Sequence, residues 1–590
     1  MSKLPPSGTR QPIATDLQIP TGTFARPERP SSNAYLALSI PPEPFLIDLF
    51  CNWIEDPTAI LIREWGAGGE VIGSWSIAEY LRDVLEVGQR IVLELGEEEK
   101  GRLRGLDDGK EEEEDGFIAV VGGGSPRVHP DEAKYFLETC NACLICAVPN
   151  TATQVQSLTK TIHIPIFTYT PQRQETANIH FHLSDSPPPH PASKGFALLY
   201  TSGTTGPPKG VFHDCSSTTG GFLTRFPKPS MLSKGQTYLH QMPVHWAGGF
   251  MTLLSGILSG ACVEFCSSVF SPNWFLDRLR DERVPPVTSV HLPPPLLNTV
   301  AAQLADLEKR DADSYAAVIR GVRKLKMVAS GGSTVTPKQR VTWQALLGRQ
   351  FVVGYGMSES FGVVAFTDYT GRREYPLDSV GICAPNVNIK IDESGEICIK
   401  SPVLFKKYIS PVPDLTKNAF DSEGFFRTDD LGAIEDGVVY LLGRASQDVI
   451  RYYLWRIYAP EVENALSQID GIARAVVLGV KDSICGERVA AVIAYEQHDE
   501  TGWLSLAELR HKLAMEGGLK VFFKLPTLLK VVANLEEIPV SDAGKPIKDQ
   551  IREEFFCENA VERGDVEAWT VQINENERGG RPFDWDGLQQ

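Results

Sequence analysis

Six hydroxyl or glycine residues follow one another without a break, Thr201-Ser202-Gly203-Thr204-Thr205-Gly206, and two prolines then lead to Lys209. Glycines let backbone N–H groups converge on an anion, and the hydroxyls add donors. A lysine ammonium is a compact charge suited to phosphate. The spacing differs from a P-loop, in which Gly-Lys-Ser/Thr follows a glycine and four residues. A nucleotide triphosphate remains the candidate ligand. Three later stretches carry residues suited to the same ligand. YGMSES (355–360) holds a carboxylate, Glu359, of the hard-oxygen type that Mg²⁺ accepts. FFRTDDLG (425–432) holds Asp430, able to accept from two ribose hydroxyls. IPVSDAGKPIK (538–548) holds Lys545 in a Gly- and Pro-containing segment.

Taken in order, these segments resemble the motifs of the acyl-adenylate-forming superfamily, which contains acyl-CoA synthetases, adenylation domains and luciferases. The match runs over roughly 195–550. YTSGTTGPPKG resembles the family's phosphate loop, YGMSES its YGxTE motif and FFRTDDLG its W-x-R-T-G-D-x-G motif. LLGRASQDVI (441–450) is similar to its GRxxDxI segment, and IPVSDAGKPIK to its IPxTxxGK segment. The resemblance implies that loop 201–209 holds the β- and γ-phosphates, that Tyr355 stacks on adenine and that Gly356 is among the ATP/AMP-binding residues. It implies that Ser358 meets the α-phosphate, Glu359 holds Mg²⁺ and Asp430 binds ribose. Arg444 then contacts ribose or phosphate, Asp448 is the hinge, and Lys545 joins carboxylate to α-phosphate. The implied activity is ATP-dependent conversion of a carboxylic acid to acyl-AMP with pyrophosphate release, followed by transfer to the thiol of CoA. A separate carrier protein is the alternative acceptor, and a non-catalytic nucleotide-binding relative is the alternative of another class.

The acyl pocket is expected from MPVHWAGGF (242–250), through His245 or Trp246, and from PVTSVHLPPPLL (286–297), through His291. SGGST (330–334) resembles the loop running beside adenine and the acyl group, which brings in Ser330, Gly331 and Gly332. No Asp lies between Cys262 and Asn273, where the amino-acid-activating branch carries one. Three departures from the family pattern stand out. Asp429 occupies a usual glycine position, three residues rather than two separate Arg444 from Asp448, and Leu454 replaces the glycine beside the pantetheine path.

The elements that must position these groups read as α/β. FALLY, SVHL, KMVAS and FVVGY are apolar strands alternating with helical stretches, which argues for a largely parallel sheet. After Arg444 the texture becomes a small α+β unit: helix APEVENALSQI, strands ARAVVLGV and RVAAVIAYE, helix LAELRHKLA and strand LLKVVANL. The expected organisation is a large α/β domain over 1–442, irregular through 34, a hinge over 443–448 and a small mobile α+β domain over 449–590.

Length and composition are compatible with this organisation. The 590 residues carry 42% hydrophobic and 22% charged side chains with a formal net charge of −18, which argues against a broad nucleic-acid surface. No apolar run is long enough for a membrane span. Neither a signal-peptide core nor a peroxisomal tripeptide is evident, so the cytoplasm is the expected compartment. The eleven cysteines are scattered. Cys140, Cys143 and Cys146 have part of an iron–sulfur spacing, but without a nearby fourth cysteine they read as small apolar residues in a helix-to-strand segment. The charged run 96–115 reads as a solvated loop.

Overall fold

A computed structural model describes residues 36–40, 59–66, 68–94, 117–121, 130–147, 164–168, 179–183, 195–201, 208–220, 232–266, 270–368, 373–452, 455–483, 485–495, 503–515, 521–541 and 544–569, with positions 56, 155 and 519. The run 96–115 lies outside these residues, as do Ser202 to Pro207, Leu454 and the proposed irregular segment through 34.

A 13-stranded mixed sheet organises the first three-quarters of the chain. Its parallel part takes the strands in the spatial order Ile60–Trp65, Cys262–Cys266, Thr237–His240, Ser289–His291, Met327–Gly331 and Val352–Met357. Beyond Val352–Met357 the pairing becomes antiparallel and passes through Gly362–Phe366, Ser379–Cys383, Val438–Arg444 and Phe426–Glu435. Helices Pro272–Arg280, Pro294–Arg310, Ala312–Lys324 and Pro337–Leu347 cover one face, and Val290, Val328, Trp343 and Phe351 are fully or almost fully buried there. Local chemistry fixes their ends. Thr336 and Gln339 form a reciprocal capping box before Pro337, and Gly348, at φ 65°, closes the same helix in the left-handed region. On the other face, helices Ile77–Glu94 and Ala247–Leu258 pack over Leu61, Tyr238 and Val263.

The strand FALLY is not part of that parallel sheet. Gly195–Thr201 pairs antiparallel with Lys209–Asp214, which pairs in turn with Lys407–Ile409. The reason is reach: a parallel return needs a crossover of a dozen or more residues, and 202–208 is too short for one. SVHL, KMVAS and FVVGY do take parallel places. The triple-cysteine segment is a helix-to-strand passage, Pro130–Thr139 into Ala142–Ala147, with Cys140 only 6% exposed.

The last part of the chain builds a second sheet from Val449–Tyr452, Trp455–Tyr458, Ile472–Asp482, Gly486–Tyr495, Leu528–Val532 and Glu567–Ala568. Helices Ala459–Ser467 and Leu506–Met515 pack on it, and its cores around Ile457, Val489 and Leu509 and around Leu478 and Ile551 are separate from those of the large sheet.

Candidate active site

The proposed phosphate loop is held at both ends by one helix. Tyr200, on the strand before it, donates to the Phe136 carbonyl at 3.0 Å and stacks on the Phe136 ring at 4.3 Å. Tyr135 donates to the Pro208 carbonyl at 2.8 Å. Thr201 and Lys209 thus face each other across the hairpin, and the Thr201 hydroxyl lies 3.4 Å from the Lys209 carbonyl. Ser202, Gly203, Thr204, Thr205 and Gly206, the rest of the expected phosphate cradle, lie outside the described residues.

Lys209 enters a charged cluster assembled from distant segments. Its ammonium is 3.5 Å from Glu359 Oε1 and 4.1 Å from the centre of the Tyr408 ring. Tyr408 donates to the same Glu359 oxygen at 2.7 Å, and Glu359 is only 8% exposed. Burial, then the Glu359 charge, pushes the Tyr408 hydroxyl far above its usual range, so it stays a donor. Ser358 and Glu359 sit on a single 3-10 turn, Ser358–Ser360. His213 fixes that turn: its Nε2 lies 2.8 Å from the Ser358 carbonyl, which makes Nε2 the donor. Burial lowers the His213 pKa to about 4.

Tyr355 lies at the end of Val352–Met357 and donates to Asp430 Oδ2 at 2.7 Å. Arg444 Nε donates to Asp430 Oδ1 at 2.9 Å. Burial raises the Asp430 pKa, against the opposing pull of Arg444 and Tyr355. Gly356 has a packing reason: a Cβ there would collide with the Gly362 carbonyl. Gly331 has a similar one, since a Cβ would strike the carbonyl of Gly354, whereas Gly332 is exposed at φ 82°. Asp429 adopts φ 63°. That conformation explains why glycine suits the position, and Asp is one of the few other residues that tolerate it. Asp429 is held by the Ser446 hydroxyl and by its own N–H bonded to Glu396 at 2.8 Å.

Lys545 reaches this cluster from the second sheet's unit. It lies in a turn where Ser541 N–H bonds to the Lys545 carbonyl at 2.8 Å. Arg474 holds the preceding Gly544 carbonyl at 2.9 Å, and Gly544 stands against Pro295 of the large unit. Lys545 is exposed as a residue, yet its ammonium is crowded: desolvation, then the Arg444 charge, lowers its pKa, and Asp430 opposes them. Asp448 accepts from the Arg444 N–H at 2.9 Å and from the Lys548 ammonium at 2.5 Å, and Lys548 is also 3.7 Å from Glu463.

Lys209, Glu359, Tyr355, Asp430, Arg444 and Lys545 therefore meet in one region. The expected acyl-pocket residues are more dispersed. His245 is exposed and Trp246 half-buried at the start of Ala247–Leu258, with their rings 6.1 Å apart. His291 ends a central strand. Ser330 is buried, but the register aligns Ala329, not Ser330, with His291, so Ser330 takes the opposite face of the sheet. Sequence reasoning missed Tyr408, His213 and Lys548. Only His213 carried a signal, being four residues beyond Lys209 on the hairpin strand.

Glu359 fits a Mg²⁺ ligand in donor type and burial, with one oxygen already polarised by Tyr408. A two-unit α/β architecture gathers acidic and basic groups of a kind that suits a nucleotide's phosphates and ribose. Residues 119–409 match the AMP-binding enzyme family and 461–545 match the AMP-binding enzyme C-terminal domain; the chain belongs to this acyl-adenylate-forming superfamily. It is 32% identical over 384 residues to a malonate–CoA ligase of Arabidopsis thaliana, an alignment covering 60% of each protein. It is 28% identical to the acyl-CoA ligase oryP of Aspergillus oryzae, covering 74% of this chain and 79% of that protein. The fold resembles ATP-bound MatB from Rhodopseudomonas palustris, with a TM-score of 0.68, 22% identity and coverage of 88% of this chain and all of that one. Among the described residues, no helix is long and apolar enough to cross a membrane.

Proposed function

We propose that this protein is an AMP-forming carboxylate–CoA ligase. The observation that carries this reading is the placement of Lys545 within electrostatic reach of Asp430 and Arg444, in a cluster that continues to Glu359 and Lys209. The relatives named as malonate–CoA and acyl-CoA ligases support it.

Activation of the acid meets repulsion between a carboxylate and a triphosphate, and preorganised positive charge is the remedy. In this reading Lys209 and the Thr201–Gly206 loop hold the β- and γ-phosphates, Ser358 donates to the α-phosphate, and Asp430 accepts from ribose. Tyr355 and Arg444 fix the Asp430 carboxylate in that role. Lys545 lies between the acid and the α-phosphate, where it lowers the charge barrier to attack. Glu359 would hold Mg²⁺, which when bound would supply further charge neutralisation at the phosphates. The thiol of CoA then displaces AMP from the mixed anhydride. The division of labour follows a large unit over 1–442, a hinge over 443–448 with Asp448 as pivot, and a small unit over 449–590 that withdraws Lys545 before the thiol arrives.

Acid-dependent exchange of labelled pyrophosphate into ATP tests the first half-reaction, and thioester formation on adding CoA tests the second. No exchange with any acid of a broad panel would refute adenylation. Exchange without a CoA thioester would move the acceptor to a carrier protein.

A further inference from the structure

The sheet register sets two histidines side by side at the carboxyl edge of the parallel strands. Tyr238 lies opposite Ser289 and Leu239 opposite Val290, so His240 and His291 form the next pair. The row continues to Phe265 on one side and Ala329 on the other. Open parallel sheets bind ligands beyond this edge. His240 is 4% exposed, with Phe265 and Tyr238 packed edgewise at 5.2 and 5.7 Å. The Gln241 amide donates to the His291 carbonyl and fixes the strand end. Neither ring nitrogen of His240 has a partner at good hydrogen-bond geometry, the Met242 backbone being the polar group near it, and Nε2 of His291 has none. Native interiors rarely leave buried polar atoms in that condition, and a binding site is one reason that they do.

The charge around this pair is also informative. Arg63 and Arg278 pair with Glu264 one row earlier, which places them on the opposite face. Among the described residues, no cation acts on either imidazole; burial dominates both and holds each pKa at about 4, and beyond it His240 feels only the Met242 backbone and His291. Both rings are therefore neutral near pH 7. Whatever its tautomer, a neutral imidazole offers one N–H and one bare nitrogen.

We propose that His240 and His291 form the specificity subsite for the acyl group and that this subsite receives an uncharged hydroxyl on the acid, aliphatic or phenolic. This rests on the acid-activating function above. A hydroxyl donates to one ring and accepts from the other, so it fits either tautomer. A plain hydrocarbon leaves the nitrogens unpaired. A second carboxylate would bring a charge beside two neutral imidazoles, to which no described residue supplies a cation.

The test is pyrophosphate exchange by the full chain with matched acids: straight-chain and aromatic monocarboxylates, their hydroxy derivatives, and dicarboxylates of equal length. The expected result is a kcat/KM for some hydroxy acid at least about tenfold above both its parent and its dicarboxylate counterpart. His291→Phe should bring that ratio toward one, and His291→Gln, which keeps a donor and an acceptor, should restore part of it. A parent acid or dicarboxylate ranking first in the wild-type enzyme overturns the proposal, as does a ratio unchanged in both variants. Should the variants fail to fold, the wild-type ranking decides alone. Absence of exchange with every acid refutes the acid-activating function itself, a different failure from exchange that ignores the hydroxyl.

Discussion

Lys209 and Glu359 form an ion pair at 3.5 Å, although one closes a hairpin and the other sits in a turn just beyond a central strand of the large sheet. Glu359→Gln keeps the shape of the side chain and removes the charge. It is expected to reduce pyrophosphate exchange roughly 10²–10³-fold, the usual cost of losing one transition-state electrostatic contact. It should also raise the Mg²⁺ concentration needed for half-maximal rate. An unchanged Mg²⁺ dependence would remove Glu359 from the metal.

Lys545→Ala is expected to abolish acyl-AMP formation while leaving thioester formation from supplied acyl-AMP largely intact. Measuring the two half-reactions separately checks this. Because desolvation and Arg444 lower the Lys545 pKa, its ammonium discharges below the ordinary lysine range, and the adenylation rate should fall on the alkaline side earlier than a solvated lysine would dictate. Lys545→Arg should move that limb upward.

Tyr355→Phe deletes the hydroxyl that donates to Asp430. Loss of a hydrogen bond to a charged group costs about 1.5–3 kcal/mol, so the KM for ATP should rise roughly tenfold or more. A smaller effect on kcat than on KM would place the contact in nucleotide binding.

Gly356→Ala should destabilise the fold by about 1–3 kcal/mol, because its Cβ meets the Gly362 backbone rather than a side chain able to turn aside. Urea unfolding measures it, and a neutral result would contradict the strand pairing.

His213, His240 and His291 have pKa values lowered to about 4 by burial. The unfolded chain takes up protons near pH 6.5 and the folded chain does not. Stability should therefore be full above pH 6.5 and fall as the pH drops toward 4, by about 1.4 kcal/mol per unit for each ring. Urea midpoints across that window check the slope, and His213→Gln should lessen it.

Most of the site was legible because its residues stand in contiguous segments whose chemistry is local. Lys209, Tyr355, Glu359, Asp430, Arg444 and Lys545 each sit in a short stretch with a mechanical reason for its glycines or carboxylates. Tyr408 and Lys548 were not legible, since each acts only through a partner that folding brings from far away. The small unit's strands followed from apolar runs, and three of them appear where those runs predict. FALLY misled because an apolar strand does not declare the direction of its neighbour; only the shortness of 202–208 does. Asp429 departs from the usual glycine, but its backbone angle and its bond to Ser446 give it a conformational place.

The clasp of Lys548 on Asp448 and Glu463 has a bearing on how such a machine could turn. Lys548 follows Lys545 by a single short step along the chain, and both of its acidic partners belong to the proposed pivot or the proposed small unit. A swing about Asp448 would carry the clasp along whole, as a bearing travels with its wheel. Such a swing would have to release what the lysine-bearing turn meets on the far side, Gly544 against Pro295 and the charges of Arg444 and Asp430 around Lys545.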